Sequence, residues 1–106
     1  MTVTWDDFEK IDIRAGTIIE VNEFPQARKP AYKLTIDFGA LGIKRSSAQV
    51  TVHYTRDQLL NRQVIAVVNF PPKQIGTFFS ECLVLGVYDD NKDVILLQRG
   101  NRSQME

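Results

Sequence analysis

Apolar and polar residues alternate along this chain in short runs, and the runs predict strands. In the segment Ile13–Val21, positions Ile13, Ala15, Thr17, Ile19 and Val21 share one face of a strand, and Gly16 within it marks a bulge or sharp bend. Leu34, Ile36 and Phe38 point one way while Thr35 and Asp37 point the other, and Gly39 ends that second strand. Ile43–Val52 is a third strand with Ser46, Ala48, Val50 and Val52 as its inner face; Arg45, Ser47, Gln49 and Thr51 face solvent or a ligand. Val64–Val68 is apolar on both faces, which predicts a central strand. Leu83–Tyr88 and Val94–Leu97 flank the turn Asp89–Lys92 and pair as a hairpin.

Helix signals are fewer. Thr4 with Asp7 three residues on has the form of a capping box opening a short helix from Trp5 to about Lys10, with Trp5 and Phe8 on one face. Thr55 caps one to two helical turns over Arg56–Leu60. Five to six short strands, a short N-terminal helix and one small helix between the third and fourth strands predict a mainly β domain. A small Greek-key barrel of the OB type fits this order better than a β-sandwich, because a helix interrupts the strands mid-chain. The 106 residues form a single domain, 1–106, long enough to bury a core without disulfide or metal.

Composition narrows the function classes. No apolar run approaches the ~18 residues of a membrane span, and the acidic start Met1–Asp7 lacks the basic and apolar blocks of a signal peptide. One cysteine, Cys82, excludes a disulfide framework, so the cytoplasm is the expected compartment. Net charge is zero, yet residues 26–74 carry eight cations against two carboxylates, and the remainder five cations against eleven carboxylates. A split of this kind supplies a basic face for a polyanion or an acidic partner if the cations converge in space.

Catalytic constellations are missing. His53, the one histidine, lies beside Tyr54 at a strand end, a structural position; Cys82 lies in an apolar run as an inert thiol. No metal-ligand spacing or phosphate loop occurs, so the sequence predicts neither an enzyme nor a cofactor. Binding features are richer. Lys44, Arg45, Ser46, Ser47 and Gln49 place cations, hydroxyls and an amide on one strand. The connection Asn69–Glu81 carries Pro71, Pro72, Lys73, Gly76 and three phenylalanines, Phe70, Phe78 and Phe79. Connections are ordinarily short and polar. Phe78 and Phe79 are adjacent, so in an extended segment at most one enters the barrel core.

Three motifs in order, Asp12–Ile18, Lys44–Thr51 and Val68–Lys73, resemble the CsaA family of secretion chaperones, within the wider group of tRNA-binding domains of the methionyl-tRNA synthetase C-terminal type. The resemblance runs from about Phe8 to Leu97. It implies an OB-fold, a two-fold symmetric homodimer, and cytoplasmic, ATP-independent action on unfolded preproteins, with the SecA export ATPase as partner and no membrane insertion. Phe70, Pro71, Phe78 and Phe79 are then expected to line an apolar peptide groove. Arg45, Ser46, Ser47, Asn69, Lys73 and Ser80 are expected at its polar rim or, in the alternative reading, on tRNA. Phe79 stands where tRNA-binding relatives often carry lysine, and Ser46-Ser47-Ala48 has the chaperone form. The tail 99–106 lacks the proline-containing ending associated with the family, which bears on the dimer.

Overall fold

A computed structural model describes residues 1–98 and 100; the tail read above therefore lies largely outside the described residues. Helix α1 (Trp5–Glu9) opens with the reciprocal Thr4–Asp7 capping box. The strands β1 (Ile13–Glu23), β2 (Tyr32–Asp37) and β3 (Ile43–Ala48) follow, then helix α2 (Arg56–Leu59), capped in the same way by Thr55 and Gln58, and β4 (Gln63–Val67). The remaining strands are short: β5 (Lys73–Ile75), β6 (Phe78–Ser80), β7 (Leu83–Val84), β8 (Gly86–Tyr88) and β9 (Val94–Leu96).

The main sheet is antiparallel with strand order β3-β2-β1-β4-β7, so β1 is shared between β2 and β4. The two edges approach each other at Arg45 and Glu81. The Glu81 amide donates to the Arg45 carbonyl at 2.7 Å, and the Arg45 amide donates to the Glu81 carboxylate at 2.9 Å. The result is a nearly closed five-stranded barrel, an OB-fold, with α2 between the third and fourth strands.

Ile18, Leu34, Ile36, Leu59, Val64 and Ser46 are completely buried at the centre of the barrel. Leu34, Ile36 and Phe38 point inward as their alternation predicts. The face expected for β1 is corrected. Its register slips between Ile18 and Glu20, placing an extra residue at Ile19 rather than at Gly16. Gly16 and Ile18 therefore face the core before the bulge and Val21 after it, while Ile13 and Ile19 stay exposed. Gly16 serves close packing instead: a Cβ there would stand 2.6 Å from Ile36 Cγ2 and 2.7 Å from Phe38 Cδ1.

Two further expectations change. β3 ends at Ala48, so Val52 lies beyond the strand and is 66% exposed, not inward. Leu83 and Val84 pair with β4, leaving Gly86–Tyr88 to form the hairpin with β9. Trp5 and Phe8 do meet edge to face at 6.4 Å, yet α1 buries neither.

Cys82 is buried, and its thiol reaches toward the Arg45 carbonyl at 3.8 Å. Burial, with a smaller contribution from the nearby Glu81 carboxylate, pushes the thiol up to about 11 from its ordinary 9.0. The folded state thus favours the neutral thiol. Its contribution to stability is complete below the ordinary thiol pKa and is lost as pH rises through about 11. At pH 8 roughly one thiol in a thousand is ionised, so alkylation of Cys82 is expected to wait for unfolding, as mass spectrometry across a urea series checks. Gly16→Ala is expected to cost about 1–3 kcal/mol by overpacking, outweighing the smaller entropic gain from replacing glycine. Its signature is a lower urea midpoint at unchanged slope.

Candidate binding surface

The connection from β4 to β7 is a stiff hairpin fastened at both ends. At its start the Asn69 side chain accepts a hydrogen bond from the Asp12 amide at 2.9 Å and donates to the Lys10 carbonyl at 2.7 Å. Phe70, Pro71 and Pro72 follow, all exposed. β5 and β6 then pair with Lys73 opposite Ser80, Gln74 opposite Phe79 and Ile75 opposite Phe78. Gly76 takes a φ of 62° in the two-residue turn between them, a conformation suited to glycine. At the far end the Ser80 hydroxyl accepts from the Ser47 amide at 3.0 Å, and the Ser46 hydroxyl donates to the Cys82 carbonyl at 3.0 Å.

Strand alternation separates the adjacent phenylalanines. Phe78 is 4% exposed and packs with Phe24, Ala27, Ala31 and Ile75 in a second apolar cluster outside the barrel core. Its ring centroid lies 5.2 Å from that of Phe24. Phe79 points the other way and is 51% exposed, as is Phe70. Of the four residues expected to line a groove, Phe70, Pro71 and Phe79 are on the surface and Phe78 is beneath it.

Two cations rest against the buried aromatic pair. The Arg45 guanidinium is 4.5 Å from the Phe78 ring centroid; the Lys33 ammonium is 5.7 Å from the same ring and 5.0 Å from that of Phe24. Register places Lys33 opposite Ser47 and Thr35 opposite Arg45, so these four share the outward face of β2 and β3. Glu20, one strand over, accepts from the Thr35 hydroxyl at 3.3 Å. Among the described residues the ion pairs are Arg14–Asp12 and His53–Asp89, so neither Lys33 nor Arg45 has a carboxylate partner there.

The polar residues expected at the rim therefore divide. Arg45 and Lys73 are exposed and Ser47 is partly so. Ser46 is completely buried, and the side chains of Asn69 and Ser80 are engaged by the protein's own backbone. Sequence reasoning missed Lys33 and Phe24. Lys33 was legible only as one of the central cations, though its outward position follows from the inward pointing of Leu34. Phe24 had no signal, because its partner Phe78 lies far off in the chain.

His53 takes the structural place expected for it. Its Nε2 is 2.7 Å from Asp89 Oδ2, which joins the turn after β3 to the β8–β9 hairpin. Asp93 lies close enough for the three side chains to share a cation. Asp89, however, already accepts from the Asn91 and Asp93 amides at 2.9 Å each. The Asp93 amide first, then His53, holds the Asp89 carboxyl below its ordinary value, as expected of a turn clamp.

Comparison with known proteins supports the fold. The family model of the tRNA binding domain matches residues 13–104. The crystal structure of the CsaA chaperone protein from Picrophilus torridus is 54% identical, with a TM-score of 0.89, covering 94% of this chain and 92% of that one. The chaperone CsaA of Bacillus anthracis is 47% identical, with a TM-score of 0.90, over 96% and 93% of the two chains. Methionine–tRNA ligase of Pyrococcus abyssi is 38% identical over 97 residues, 92% of this chain but 13% of that enzyme. The chain thus spans a small part of that ligase, and the family it matches is a binding domain and not a catalytic one. No helix among the described residues is long and apolar enough to cross a membrane. The chain belongs to the tRNA binding domain family, and within it resembles the CsaA chaperones.

Proposed function

We propose that this protein is a cytoplasmic, ATP-independent chaperone of the CsaA type that captures extended segments of unfolded preproteins on the β5–β6 hairpin. One observation carries the reading: Phe70 and Phe79 stand half exposed on a hairpin whose ends are hydrogen-bonded in place. Burying a phenylalanine is worth about 1.5–3 kcal/mol, and a polypeptide that covers these two recovers part of it. Pro71 and Pro72 reduce the conformational entropy that the loop loses on binding. Arg45, Ser47 and Lys73 supply the polar rim, and Phe78 supports the surface from beneath. In a two-fold homodimer the hairpins flank one axis, so a chain that touches both gains effective concentration. Resemblance to secretion chaperones makes the SecA ATPase the expected partner for handing on the bound chain.

A labelled unfolded peptide titrated by fluorescence anisotropy tests this. The double variant Phe70→Ser/Phe79→Ser is expected to lose about tenfold or more in affinity while keeping its urea midpoint, since both rings are exposed. Unchanged affinity overturns the reading. Phe78→Ala is expected to behave differently, lowering stability by about 3–5 kcal/mol because it empties a buried site.

The second reading, a structure-specific tRNA-binding module, is favoured by Lys33 and Arg45. Both lie on the outward face of β2 and β3, where the β1–β2 loop and the hairpin meet; that is the face on which OB-folds take oligonucleotides. tRNA affinity is then expected to fall steeply with salt, and Lys33→Ala to lower the log–log slope by about one. Absence of tRNA binding at low salt removes this reading and leaves the first intact.

A further inference from the structure

We propose that the cleft beside the β1–β2 loop is a site for an unstacked guanine nucleotide of a bound RNA; the proposal rests on the tRNA-binding reading and names the part of the RNA that this loop holds. The cleft has a volume of about 420 Å³ and is lined by Glu23, Phe24, Arg28, Pro30, Ala31 and Thr51, among others. That volume lies within the range of small-ligand sites.

Its chemistry is mixed in a way that selects a ligand. Pro25 and Pro30 are the exposed apolar residues of its lining, against which a planar base can lie, while Phe24 and Ala31 are buried. Glu23 and Arg28 line the same cleft, yet among the described residues neither forms an ion pair with the other or with anything else. A carboxylate and a guanidinium left apart in one cleft suit a ligand that carries donors at one end and an anion at the other. A nucleotide is such a molecule: the base edge meets Glu23 and the phosphate meets Arg28.

The carboxylate discriminates among bases. Two neighbouring acceptor oxygens match two neighbouring donors, and guanine alone presents them, as N1–H beside the 2-amino group. Adenine and cytosine each set an acceptor nitrogen beside the amino group, and uracil flanks its single N–H with two carbonyls. Single-stranded RNA is read in this manner, by bases splayed from the stack and bonded along their Watson–Crick edges.

Continuity places the cleft on the same RNA path as the cations. Phe24 lines the cleft and also carries the Lys33 ammonium 5.0 Å from its ring centroid. A strand running over Lys33 and Arg45 therefore reaches the cleft without crossing an acidic stretch of the β1–β2 loop, whose residues 24–31 contain no carboxylate.

Amide NMR titration of the whole chain with guanosine and inosine monophosphates is the test, because the two differ only in the 2-amino group. Shifts are expected at Ala31, Tyr32 and Thr51, with the guanosine nucleotide bound about fivefold tighter. Glu23→Gln, at an exposed position, is expected to fold and to erase that preference. Arg28→Ala, also at an exposed position, is expected to weaken both nucleotides by removing the partner of the phosphate. Equal binding of the two nucleotides, a preference that survives Glu23→Gln, or no shifts at millimolar nucleotide overturns the proposal. If whole tRNA still binds with a steep salt slope in those cases, the cleft assignment fails alone and the tRNA reading stands. If tRNA does not bind while guanosine selectivity is retained, the tRNA reading fails and the proposal with it, and the cleft is a site for a free guanine nucleotide.

Discussion

Closure of the barrel between Arg45 and Glu81 is the constraint from which the binding surface follows. β3 is an edge strand, and an unpaired edge leaves backbone donors and acceptors to be satisfied elsewhere. Here segment 80–82 satisfies them: Glu81 exchanges two hydrogen bonds with Arg45, Ser80 accepts from the Ser47 amide, and Ser46 donates to the Cys82 carbonyl. Ser46 is completely buried because its hydroxyl serves this closure. Fixing residue 80 fixes the parity of β6, and parity decides that Phe78 turns in and Phe79 turns out. With Asn69 fastened to Lys10 and Asp12 at the other end, the hairpin has little freedom to exchange the two rings.

The second apolar cluster then acquires a purpose beyond filling space. Phe24, from the β1–β2 loop, and Phe78, from β6, meet beneath Lys33 and Arg45. Each cation is held to a ring by about 0.5–1 kcal/mol at an exposed site. Neither side chain forms an ion pair among the described residues, although the Glu20 and Glu81 carboxylates approach the same stretch of β2 and β3. The asymmetry of the central segment is thus realised at least here, in a chain of zero net charge.

Local patterns were legible where local physics decides them. The alternation Leu34, Ile36, Phe38 set the inward face of β2, and the two threonine caps set both helices, since each signal needs only neighbouring residues. Pairing with distant strands was not. The bulge at Ile19 switches the inward face of β1 within the stretch paired with β2, and no periodicity within Ile13–Val21 records it. Adjacency predicted that at most one of Phe78 and Phe79 enters the core, and Phe79 is exposed. It did not reveal that Phe78 enters a different cluster, formed with Phe24. Asn69, Ser46 and Ser80 show the same limit: polar residues in a binding loop read alike whether their hydrogen bonds go to a ligand or to the loop's own supports.

One hairpin therefore carries two kinds of surface. On the side of Phe78 its apolar bulk is consumed in holding cations over the barrel; on the side of Phe79 it is left uncovered. A single-residue shift in the register of β6 would exchange them, exposing Phe78 and turning Phe79 inward. The hydrogen bonds at Ser80 and Glu81 oppose that shift, so the same contacts that close the barrel keep the apolar and cationic faces distinct. Under the proposed reading an extended polypeptide occupies the Phe70–Phe79 side, and Arg45, which serves both its polar rim and the cationic face, is where a peptide and an anion would meet.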